Sequence, residues 1–111
     1  MALPHAQSAQ VVSVRPLDAA LLPQTQSYAI IKAQQLEVMR VVLRAGELMR
    51  QHDTPGEITV QCLQGEVEFQ LGQNVHLLRA GDLMHLQARA PHALRAVHDC
   101  SLLVTLCLLP L

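Results

Sequence analysis

Tryptophan is absent from this 111-residue chain, and phenylalanine and tyrosine occur once each. Single-stranded nucleic acids are held largely by stacking on aromatic rings, so a chain this poor in them is not built as such a platform. Basic runs are missing too. The eight Lys and Arg residues are dispersed and the net charge is -1, which leaves no concentrated grip on phosphate backbones or anionic membranes. Neither nucleic acid nor membrane is expected as a partner. The longest apolar stretch, Ser101 to Leu111, is broken by Thr105 and Pro110 and is far shorter than the ~20 residues of a membrane-spanning helix. The opening MALPHAQSAQ lacks the basic start and apolar run of a secretory leader. Cysteine is scarce: Cys62, Cys100 and Cys107 are an odd number without CxxC spacing. Buried thiols in a reducing cytoplasm are the expectation, in preference to a disulfide or a thiolate metal site.

What is present is aliphatic. Half the residues are apolar, so the core must be built from Leu, Val, Ile, Ala and Met, and the length suits one domain. Residues 1–25 read as an N-terminal arm, with a short strand at Val11 to Arg15 and a helical turn at Leu17 to Leu22 stopped by Pro23. Residues 26–111 read as a barrel. Strand-length apolar runs follow one another there: Ser27 to Ala33, Leu36 to Leu43, Glu57 to Leu63, Glu66 to Leu71, Val75 to Leu78, Leu83 to Leu86, His92 to Val97 and Ser101 to Leu109. Gly65, Gly72 and the Ala80-Gly81-Asp82 segment supply the turns. Many short strands at close spacing predict an all-β sandwich or barrel.

Two segments carry a resemblance. Gly46-Glu47-Leu48-Met49-Arg50-Gln51-His52-Asp53-Thr54-Pro55-Gly56-Glu57, running on to Gly65, resembles the first cupin motif. Ala80-Gly81-Asp82-Leu83-Met84-His85-Leu86, continuing to Ala90-Pro91-His92-Ala93-Leu94, resembles the second. The resemblance implies a small single-domain cupin of the RmlC-like superfamily, a double-stranded β-helix or jelly-roll barrel with a pocket inside. It also implies that His52 and His92 face each other there as metal ligands. The departures are specific. Thr54 stands where the family's second histidine would be, and Ile58 where its carboxylate or amide would be, with Glu57 displaced by one residue. Gln87 and Arg89 replace a customary proline and glycine. Arg89 either reaches over the pocket mouth or points into water.

The surviving residues leave two functions open. Two imidazoles suit a divalent transition metal such as Zn, Ni, Fe or Cu, weakly held because resident sites normally use three or four protein ligands. With a metal, the pocket suits an oxygenase, isomerase or decarboxylase acting on a small organic molecule. Without one, His52 and His92 are neutral pocket-lining residues of a non-catalytic binding or sensing module. His85 either faces the pocket as a further ligand or faces solvent. Strand alternation puts Ile58, Val60 and Cys62 on the pocket side, with Thr54 nearby, while Glu57, Thr59 and Gln61 share the other face. Arg40 either brings a guanidinium into the pocket to clamp a carboxylate or lies on the outer sheet face. Apolar residues on both faces of Val38 to Leu43 and of Leu102 to Leu109 need cover on both sides, and this predicts a homodimer unless the N-terminal segment folds back over them.

Overall fold

The structure, a computed structural model, describes residues 5–108. Among the described residues nine strands succeed one another: β1 (Tyr28–Lys32), β2 (Leu36–Leu43), β3 (Leu48–His52), β4 (Ile58–Gln64), β5 (Glu66–Leu71), β6 (Asn74–Arg79), β7 (Leu83–Leu86), β8 (His92–Ala96) and β9 (Cys100–Cys107). All pairings are antiparallel. They build one sheet in the order β1-β2-β9-β4-β7 and a second in the order β3-β8-β5-β6. The two sheets enclose an aliphatic core in which Val60, Val67, Phe69 and Leu102 are almost wholly buried. This is the jelly-roll architecture that the two motifs imply.

Along β4 and β5 the alternation of residue type agrees with that of burial. On β4, Ile58, Val60 and Cys62 are buried while Thr59 and Gln61 are half-buried on the other face. Gly65 makes the β4–β5 turn at φ +79°, in the left-handed region that glycine adopts without steric cost. Two expectations fail locally. Val11 to Arg15 forms no strand, and the helical turn is a single 3-10 turn at Leu22–Gln24. Pro23 stands inside that turn instead of stopping it, since a first-turn residue needs no donor N–H. Strand β3 has no counterpart among the apolar runs. Its sequence, Leu-Met-Arg-Gln-His, is largely polar, as suits an edge strand in which only Met49 is half-buried.

The arm lies over the outer face of the five-stranded sheet. Leu17 donates its N–H to Gln64 Oε1 (2.7 Å), Gln64 Nε2 donates to the Leu17 carbonyl (2.9 Å), and Ser101 Oγ donates to the same Gln64 Oε1 (2.8 Å). The turn at Leu22–Gln24 rests against β2, and Ala6 donates its N–H to the Ile30 carbonyl. Val42 and Ser101, both outward, are consequently buried. Arg40 shares their face and not the pocket's, because Met39 and Val41 are the residues of β2 that line the cavity. Of the two placements open for Arg40, register excludes the pocket and leaves the outer sheet face. It is also no ordinary surface arginine: it is 2% exposed, donates from Nε to Tyr28 Oη (3.0 Å), and leaves Nη1 without a hydrogen-bond partner among the described residues.

Cys62 and Cys100 are buried in the core. Burial pushes the Cys100 thiol up to about 12 and raises that of Cys62 as well, so neither carries the thiolate that reactive cysteines need. Among the described residues, no helix is long and apolar enough to cross a membrane.

Candidate functional site

The two histidines meet because of strand register. His52 ends β3 and His92 opens β8, and the two are direct partners across that ladder, after an irregularity between Met49 and His52. Their ring centroids are 4.3 Å apart with planes at 60°. Phe69 of β5 stacks on His92 at 6.2 Å and 28°. His92 is 3% exposed, whereas His52 sits at the exposed rim.

Each ring is oriented by its own chain. His52 Nδ1 lies 2.9 Å from the Arg50 carbonyl, and His92 Nδ1 lies 2.9 Å from the Ala90 carbonyl. A carbonyl only accepts, so each Nδ1 donates a proton, and in a neutral ring Nε2 is left as the basic atom. Burial holds His92 below the ordinary histidine range, an effect that its bond to Ala90 opposes and the neighbouring His52 reinforces.

That depression has a measurable sign. The unfolded chain takes up a proton on His92 near pH 6.5, and the folded chain only at lower pH. The stability contributed by neutral His92 is complete above about 6.5 and is lost as the pH falls through the folded value. Histidine NMR titration should show the His92 ring titrating below 6.5. Urea midpoints should fall between pH 7 and pH 5 by less in His92→Gln than in the parent chain.

Behind the imidazoles lies a cavity of about 230 Å³. Its walls are apolar, drawn from both sheets, with Met39, Val41, Val60, Phe69, Leu94 and Leu102 among them. Of the residues expected here, His52, Thr54, Ile58, Val60 and His92 line the cavity. Cys62 does not: it lies deeper in the core on the same strand. His85 is placed outside. Its β4 partner is Thr59, on the face opposite Val60, and its Nε2 lies 2.6 Å from Glu57 Oε1 on the exposed side of the barrel. The one-residue displacement of Glu57 thus turns its carboxylate away from the pocket. Phe69 was not singled out from the sequence. Its signal was available as the chain's one phenylalanine, two residues from the buried Val67 on one strand face.

The donor set does not fit a resident catalytic metal. Ile58 offers no donor, and the Thr54 hydroxyl donates to the Gly56 carbonyl (3.0 Å). Among the described residues no three His, Cys, Asp or Glu side chains are grouped to hold a metal. Two imidazole nitrogens are what remain.

A two-sheet jelly roll with paired histidines at the mouth of an internal cavity defines a cupin-type barrel. The chain belongs to the cupin domain family, whose model matches residues 39–107, from the middle of β2 to the end of β9. Solved structures share the fold. A cupin superfamily protein from Desulfitobacterium hafniense has a TM-score of 0.76 at 18% identity, covering 93% of this chain and 99% of that one. A conserved protein of unknown function from Streptococcus pyogenes has a TM-score of 0.73 at 23% identity, covering 100% and 97%. KdgF from Halomonas sp. has a TM-score of 0.64 at 20% identity, covering 73% and 76%. No match was found among curated proteins.

Proposed function

We propose that the protein binds a compact, mostly apolar organic molecule inside the barrel, with its polar end at the mouth where His52 and His92 stand. The observation that carries this reading is the apolar cavity of about 230 Å³ ending on two oriented imidazoles. An apolar cavity of about 150 Å³ accepts benzene. On that scale this cavity takes on the order of ten non-hydrogen atoms, a single ring with a short substituent. A few polar groups against an apolar wall is the usual make-up of such sites.

A binding or sensing role is favoured over a metal-assisted oxygenase, isomerase or decarboxylase because Thr54 and Ile58 stand where such a centre needs donors. The tautomer argument supports a second, narrower reading. Both rings hold Nε2 as the basic atom, which suits weak capture of a divalent transition metal between them. Pairing of two copies would use the exposed rim residues Leu36, Leu83 and Leu108, since the arm covers the centre of the outer face; light scattering at 12.2 kDa would exclude it.

The test of the pocket uses a neutral probe. Titration with 4-methylbenzamide, followed by NMR, should shift the Phe69 and His92 ring signals and the Met39 methyl together. If a panel of neutral single-ring amides moves none of these signals, the pocket does not bind small molecules.

A further inference from the structure

Arg89 holds a backbone conformation that strains any residue with a Cβ. Its φ is +66°, in the left-handed region where Cβ crowds the following carbonyl. The position is tied down. Arg89 donates its N–H to the Thr54 carbonyl at 2.8 Å, and Thr54 lines the cavity. The Arg89 backbone is thereby anchored at the rim. Its guanidinium extends to Asp53, with Nη1 3.5 Å from Oδ1, and the side chain is 70% exposed. Asp53 is flanked in sequence by His52 and Thr54, both cavity-lining.

The ion pair does not explain the strain. It is long and solvated, and exposed pairs of this kind add little to stability. A glycine at this position would keep the Thr54 bond and adopt the same φ freely. Residues held in such conformations concentrate where geometry serves binding. Asp53 lies at ion-pair distance only, and the guanidinium fork of five N–H donors suits a planar two-oxygen anion.

We infer that the ligand of the barrel is a compact carboxylate, its apolar body in the cavity and its carboxylate on the Arg89 guanidinium, which makes Arg89 the residue that sets specificity. The inference rests on the small-molecule reading above. The apolar walls select against larger or more polar acids.

The experiment compares acids with amides of the same shape: 4-methylbenzoate with 4-methylbenzamide, and hexanoate with hexanamide. In the parent chain each acid should bind at least tenfold more tightly than its amide, with the preference falling as salt is raised. Arg89→Gly and Arg89→Gln should each reduce the preference to within twofold. Arg89→Gly should melt no lower than the parent chain, because it relieves the left-handed strain. Arg89→Gln keeps the strain and removes only the charge, so it separates the two effects. Equal affinities for acid and amide in the parent chain would overturn the inference and leave the pocket reading standing. So would a preference that survives both substitutions. If neither acids nor amides bind, the pocket reading falls and the inference falls with it.

Discussion

Gly65→Ala should destabilise the barrel by about 4 kcal/mol, the sum of left-handed backbone strain of roughly 1–3 kcal/mol and overpacking of roughly 1–3 kcal/mol. Two independent features of the position produce this. The φ of Gly65 is +79°, and a Cβ there would drive into the Asp99 carbonyl oxygen and the backbone of Cys100. Backbone atoms cannot rotate aside as a side-chain tip can. Cys100 is buried and opens β9, so any displacement is passed to the central strand of the larger sheet. A loss of that size is a large share of the total for a small domain, which is typically about 5–15 kcal/mol. Gly72→Ala is the internal control. Its φ is also positive, at +62°, but a Cβ there meets nothing within 4 Å, so only the backbone part, roughly 1–3 kcal/mol, applies. Urea unfolding of the two variants measures the difference. Equal midpoints would show that the β4–β5 turn yields and that the packing against Asp99 is not rigid.

The second large effect concerns the metal. Nickel titrated into the parent chain should bind weakly and be removed by gentle chelation without unfolding, because the aliphatic core and not the metal holds the barrel. Replacing either His52 or His92 with alanine should lower nickel affinity by at least about 100-fold, since loss of even an outer partner of a ligand costs about 10–100-fold. The two variants should differ in a second respect. His52 is exposed at the rim and its removal should leave the melting temperature nearly unchanged, whereas His92 is buried beside Phe69 and its removal opens a void that destabilises the fold. Isothermal titration with thermal melting reads both. A metal that survives chelation at one equivalent would require a third donor that the described residues do not place at the site.

Much of this architecture is legible in the amino-acid order. β2, β5 and β7 are readable to the residue, because each is an apolar run bounded by turn chemistry, and β5 also alternates with a period of two. His52 and His92 are readable as a pair through the resemblance of their segments to the two cupin motifs. Ile58 and Thr54 are readable as departures for the same reason. Strand β3 is not, because an edge strand with one half-buried residue has no apolar period to detect. His85 is ambiguous from its own segment. Its direction is settled by the partner strand, where Thr59 and not Val60 lies opposite.

Local sequence therefore determined the all-β class, most strand positions and the turn at Gly65, which depend on backbone preference and on patterning over a few residues, while the identity of the paired histidines came from the resemblance to the cupin motifs. Tertiary structure alone decided that Arg40 is buried, that Cys62 stops short of the cavity, that Glu57 and His85 bind each other outside it, and that Arg89 is anchored to Thr54. The physical reason is that burial belongs to a sheet face only once something covers that face. The cover over Arg40 and Val42 comes from an arm tied through Leu17 to Gln64, 47 residues away, and no local period carries that pairing.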